Sequence, residues 1–281
     1  MRTIPYTAIV SAVKDMCLEA AYNLPYDVAH GLRTAMEKEQ SPRGRSIIES
    51  CIENAAIASR DRVPLCQDTG FAVYFVEAGS SVMVEGGILT DAINEGTRAG
   101  YAGGYLRASI VDDPLFLRKN TRDNTPAVIH LTLVPGDVLR ITLAPKGGGS
   151  ENMGAVAMLK PADGKQGVID FVVKTVVAAG GNPCPPTMVG VGLGGTMEMA
   201  ALLAKKALLR PIGGAHADSD YAQLEKEILF RINASGIGPQ GLGGSITALS
   251  VAIETFPCHI ASMPVAVNLN CHVARHSVRT L

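Results

Sequence analysis

Tryptophan is absent from this chain, and phenylalanine occurs only six times among 281 residues. Bulky rings therefore do not build its interior. Charge of neither sign is in excess: 25 Lys and Arg face 26 Asp and Glu, a net charge of -1. That balance removes the electrostatic case for nucleic acid or a membrane surface as partner. No window reaches the ~18 to 20 uninterrupted apolar residues of a spanning helix. The opening Met1-Arg2-Thr3-Ile4-Pro5 also lacks the apolar run of a signal peptide. A soluble cytoplasmic protein is expected. Cys-x-x-Cys is missing too, which argues against a zinc ribbon or a thioredoxin-like site. No internal repeat, low-complexity tract or linker interrupts the chain.

What is present is apolar residues, at 47%, and thirty glycines. Such a chain can bury a large core, and abundant glycine points to backbone packed closely against backbone or ligand. One compact α/β unit spanning residues 1–281 is expected, a mixed sheet with flanking helices and a helical N-terminal region. The first sixty residues read as helices, with Ser41-Pro42 marking an N-cap. Phe71 to Val76 and Val82 to Val84 read as strands, and Thr90 to Gly100 as a helix. Ala127 to Val134 and Val138 to Leu143, joined by Pro135-Gly136-Asp137, form the clearest expected hairpin. Helices follow near Ala155 to Leu159, Gly167 to Ala179, Met197 to Leu209 and Tyr221 to Ile232, then strands at Ile246 to Ile253 and Pro264 to Leu269.

Six cysteines in a chain with a large core are expected to stay reduced. Cys17 and Cys51 fall on apolar helical stripes and read as core. Cys66, Cys184 and Cys271 do not. They stand in Pro64-Leu65-Cys66-Gln67-Asp68-Thr69-Gly70, Asn182-Pro183-Cys184-Pro185-Pro186 and Asn268-Leu269-Asn270-Cys271-His272, bracketed by the residues of rigid turns. Three thiols from distant turns can converge on one metal centre and leave one metal position open. Their separations, 118 residues (184 − 66) and 87 residues (271 − 184), are weak support alone; the turn context gives them weight, because turn N–H groups also hydrogen-bond cluster sulfides.

Other motifs surround them. Gly190-Val191-Gly192-Leu193-Gly194-Gly195 fits G-x-G-x-x-G, but little room remains for a preceding strand and no acidic second strand follows. Small residues letting a helix near Thr196 come close is the better reading. Gly147-Gly148-Gly149-Ser150, after Lys146, lacks a P-loop ending but can form an anion nest suited to a carboxylate or phosphate. Asp68 and His259 are a carboxylate and an imidazole able to pass a proton. Arg107, after Gly103-Gly104-Tyr105-Leu106, can clamp a carboxylate or be a plain surface cation.

Together these segments, with Asn120-Thr121-Arg122-Asp123-Asn124-Thr125-Pro126 and Gly238-Pro239-Gln240-Gly241-Leu242-Gly243-Gly244, resemble the class I, iron–sulfur-dependent fumarate hydratases. The likeness is to the α-subunit of the two-subunit form, with the L-tartrate dehydratase α-subunit a close relative. The resemblance implies a [4Fe–4S] cluster held by Cys66, Cys184 and Cys271, whose fourth iron acts as a Lewis acid. It also implies that Gln67, Asp68, Arg107, Gly149 and His259 line the substrate side, with Asp68 and His259 protonating the departing hydroxyl of (S)-malate. A separate β-subunit would supply the remaining carboxylate contacts and the base, and two chains of each kind would assemble. The alternatives are an L(+)-tartrate dehydratase α-subunit and a non-catalytic electron carrier in which Cys258 is a fourth ligand. Against the carrier, Cys258 and His259 should point to opposite sides of an extended segment.

Overall fold

The computed structural model describes all residues 1–281. The elements, in order, are β1 (Arg2–Pro5), α1 (Tyr6–Tyr22), α2 (Tyr26–Lys38), α3 (Pro42–Asp61), β2 (Phe71–Gly79), β3 (Val82–Glu85), α4 (Leu89–Gly103), β4 (Val128–Val134), β5 (Leu139–Lys146) and the single turn α5 (Gly148–Glu151). Then come β6 (Ala155–Leu159), α6 (Gly164–Ala179), β7 (Thr187–Gly194), α7 (Met197–Ala207), α8 (Ser219–Asn233), β8 (Ala248–Phe256), β9 (Met263–Asn270) and β10 (Ser277–Thr280). The α/β class and the helical N-terminal region are as expected, apart from the short β1, which pairs in parallel with β3. The chain divides into one unit of Met1–Pro25, Ala55–Gly148 and Arg275–Leu281 and another of Tyr26–Asn54 and Gly149–Ala274. No linker marks the border, because the first crossing lies just before α2 and the second inside α3.

In the first unit the sheet order is β10-β5-β2-β4. Ile9, Val13, Met16 and Cys17 of α1 and Ala92, Ile93 and Tyr101 of α4 bury one face, against Tyr74, Val76, Leu139, Ile141 and Leu143. Cys17 is a core residue, 2% exposed; its sulfur lies 3.4 Å from the Tyr74 hydroxyl. The expected hairpin is absent. β2 lies between the two strands, parallel to β4 and antiparallel to β5. The turn still forms, but it wraps the end of β2: Gly79 N–H donates to Val138 O and Ser80 N–H to Val134 O.

The second unit holds a sheet of order β6-β9-β7-β8. Ala155–Leu159 is strand β6 rather than a helix, antiparallel to β9; five residues are too few for the sequence pattern to separate the two. One face of the sheet, Val189, Val191, Ile253, Val265 and Val267, meets Val168, Ile169, Val172 and Val176 of α6 and Leu224, Ile228 and Ile232 of α8. The opposite face of β7 is glycine. A Cβ at Gly190 would fall 2.1 Å from Ala204 O, and one at Gly192 1.9 Å from Ala200 O. The glycine run is thus itself a strand that admits α7 to backbone contact, which is the packing role read from the sequence.

Candidate active-site residues

The first unit carries Cys66, Gln67, Asp68 and Arg107. Residues Pro64–Gly70 form an irregular loop after α3, anchored by buried Leu65, whose N–H donates to Ala21 O at 2.9 Å. Asp68 N–H points at Cys66 Sγ, 3.4 Å away, and the Cys66 thiol lies 3.3 Å from Gln67 Oε1. Both oxygens of Asp68 accept backbone bonds, Oδ1 from Gly70 N–H at 3.0 Å and Oδ2 from Gly148 N–H at 2.8 Å. The carboxylate is therefore fixed in orientation. Here the glycine nest departs from expectation: its Gly148 donor is taken by the protein's own carboxylate.

The loop is braced on every side. Gly70 takes φ +80, and a Cβ there would lie within 2.9 Å of the Lys146 backbone, so no other residue fits. Tyr101 OH lies 3.0 Å from both Thr69 O and Gly70 O. Thr69 Oγ1 donates to Arg107 O at 3.0 Å, and Asn124 links Gly70 O to Ser109 N–H. These bonds hold the Arg107 backbone against the loop and leave its side chain, like that of Gln67, exposed. The Asn120–Pro126 motif thus supplies a strut.

The second unit carries Gly149, Cys184, His259 and Cys271. Met188 pairs with Asn270, so the turn before β7 and the residues after β9 share one end of the sheet. His272 joins them: its backbone N–H donates to Cys184 O at 3.4 Å, and its Nδ1 lies 3.1 Å from the same oxygen. Gln240 completes the clasp. Its amide Nε2 donates to Pro185 O at 2.8 Å and lies 3.1 Å from His272 Nδ1. Cys184 and Gln240 take φ +54 and +53, outside the usual range for residues with side chains. Glu39 supports the Gln240 loop by accepting bonds from Ser245 and Ile246 N–H. Gly149 is exposed, and a Cβ there would meet only Asn182 O at 3.8 Å.

Cys51 is not a core residue. It is half-buried, and its thiol is pushed up to about 11 by burial and then by the negative charges of Cys271 and Cys184.

His259 and Cys258 lie elsewhere. They sit between β8 and β9, beyond Phe256, which pairs with Gly194 at the far end of β7. The eight residues of β9, at ~3.3 Å each, separate that end from Cys271 by about 26 Å. His259 does not stand beside the Cys184–Cys271 pair of its own chain, and neither does Cys258. Nor is the segment extended: Ser262 N–H returns to His259 O at 3.0 Å. Cys258 and His259 both line one cleft of about 350 Å³ with Met158, Met197, Met199 and Phe256.

No three His, Cys, Asp or Glu side chains stand at metal-binding spacing. The donor chemistry nonetheless suits an iron–sulfur cluster. Cys66, Cys184 and Cys271 are soft donors outside any disulfide and at least partly exposed, and the Cys66 sulfur already receives a backbone N–H. Arg275, whose Nη2 donates to Asp68 O at 2.6 Å, and Gln240 and His272 are contributors the sequence did not disclose. No helix is long and apolar enough to cross a membrane.

Comparison with known proteins agrees in kind. Residues 10–280 match the sequence profile of the family described as fumarate hydratase (Fumerase). A Methanocaldococcus jannaschii protein named "Putative L(+)-tartrate dehydratase subunit alpha" is 42% identical over 278 residues, 97% of each chain. The L(+)-tartrate dehydratase subunit alpha of Escherichia coli K12 is 35% identical over 257 residues, 90% of this chain and 84% of that one.

Proposed function

Because the chain belongs to the fumarate hydratase (Fumerase) family of hydro-lyases, we propose that it is the cluster-bearing α-subunit of an enzyme that reversibly dehydrates a 2-hydroxy dicarboxylate. The first reading of the substrate pair is (S)-malate and fumarate, after the family. The names of the two relatives favour a second, L(+)-tartrate. The observation that carries the proposal is Asp68, a carboxylate locked by two backbone N–H groups two residues from a cysteine whose sulfur receives a third.

Cys66, Cys184 and Cys271 would hold a [4Fe–4S] cluster, which when bound supplies a Lewis acid for the leaving hydroxyl. The chain's own groups do the rest. Gln67 offers an exposed amide to the substrate. Arg107, its backbone tied to the loop by Thr69, offers a guanidinium fork for a carboxylate. Gly149 leaves room for the ligand beside its backbone. Asp68, unable to rotate, exchanges a proton with the departing water. His259 can join it only from a second copy of the chain, given the length of β9. The far carboxylate and the C3 proton are left to a β-subunit, in keeping with the subunit names of the relatives.

Anaerobic loading with iron and sulfide, with and without a β-chain, followed by assays on malate, fumarate and L(+)-tartrate, tests the proposal. Broad iron–sulfur absorbance and turnover dependent on the β-chain are expected. Asp68→Asn should retain the absorbance and lower kcat by roughly 10² to 10⁴. Full activity in Asp68→Asn, or turnover by this polypeptide alone, would contradict it.

A further inference from the structure

Arg275 is 4% exposed, and its guanidinium is only partly satisfied. Nη2 donates to the carbonyl oxygen of Asp68 at 2.6 Å. Nε and Nη1 are buried with no hydrogen-bond partner. Guanidinium carries five donors and keeps its charge under all ordinary conditions. Burying such a cation without a counter-ion works against folding, and proteins retain one where an anion is to be met. The hydroxyl of Tyr101, which binds the same loop, is raised by burial and lowered by the charge of Arg275.

Only one side chain of that loop becomes anionic by binding metal. Asp68 already has both oxygens occupied by backbone donors. Cys66 is a thiol that turns into a thiolate when it ligates. A cluster on three thiolates brings further net negative charge. Substrate is a poor candidate for the partner, since the guanidinium is out of solvent.

We propose that Arg275 is the interior countercharge of the anionic centre assembled on the Cys66 loop, pinning that loop through the Asp68 carbonyl and offsetting the charge that cluster binding creates. The proposal rests on the iron–sulfur reading above. Arg275 is a positioning residue, touching neither substrate nor the reacting atoms. In the unloaded chain the one bond to Asp68 O is all that offsets its burial, so stability and cluster retention should respond to its removal in opposite directions.

The test uses the full chain as wild type, Arg275→Met and Arg275→Lys, each melted before loading and then challenged with an iron chelator after anaerobic loading with iron and sulfide. Unloaded Arg275→Met is expected to melt at or above the wild-type temperature, because an unpaired buried cation has been removed. Once loaded, it should surrender iron about tenfold faster, the lower end of the loss for a supporting residue of a metal site. Arg275→Lys, with the charge kept, should stay within about threefold of wild type. Equal chelation rates in wild type and Arg275→Met would overturn the proposal. So would an unloaded Arg275→Met that melts early or fails to fold, which would make Arg275 an ordinary brace. A rise in substrate KM with normal iron retention would also overturn it, in favour of a substrate contact. A wild-type chain that takes up no cluster would instead remove the iron–sulfur reading itself, and this proposal with it.

Discussion

Asp123 carries the clearest pH signature among single side chains. Desolvation raises its pKa, but hydrogen bonds from Arg98 at 2.7 Å and from the Thr125 hydroxyl and N–H outweigh it and hold the carboxyl at about 2. The folded value lies below the ~3.9 of an unfolded aspartate. Its contribution to stability is thus complete above about pH 4 and is lost as pH falls toward 2. Thermal melts between pH 5 and 2 should fall less steeply for Asp123→Asn than for wild type; equal slopes would show that the Arg98 contact contributes nothing. Residues of this kind are partly readable in advance. Asp68 stood out because proline, glycine and cysteine crowd around it. Arg275 did not, since a lone arginine four residues beyond a cysteine has no pattern to mark it. Cys51 was misread because its helical stripe is identical to that of a core helix, whichever neighbour the stripe meets.

Among the elements, the loop carrying Gln240 has the most specific task, since one amide reaches both the Cys184 turn and the residue after Cys271. Gln240→Gly keeps the positive φ and deletes only the side chain. Amide exchange at His272, whose N–H binds Cys184 O, should accelerate by about 3- to 10-fold, the factor equivalent to one net hydrogen bond. Unchanged exchange would show that the backbone bonds alone secure the turn. Most helices and most strands were visible from periodicity. The failures share a cause. The sequence marks a turn after Val134 but cannot report that β2 occupies the space between the arms, because strand partners are chosen by tertiary packing. Likewise Ala155–Leu159 is apolar enough for either a helix or a strand, and pairing with β9 decides the matter. The glycines of β7 hid a strand because their lack of side chains erased the alternation by which strands are recognised.

For the whole molecule, the separation of His259 from Cys271 along β9 means that the proton relay proposed above would need His259 from a second copy, and a mixing experiment follows. Cys184→Ser and His259→Asn chains, each inactive alone with the β-subunit, should regain about a quarter of wild-type activity when unfolded and reassembled together, since half of random pairs are mixed and each holds one intact site. No recovery would mean that His259 takes no part or that each copy works alone. The interleaving of the two units has a different consequence, for biosynthesis. The first unit begins with β1 and cannot finish its sheet until β10 pairs with β5, Ser277 against Leu143. On the ribosome its earlier part must wait, with one sheet edge open, while Gly149–Ala274 of the second unit is translated, and only β10 releases it.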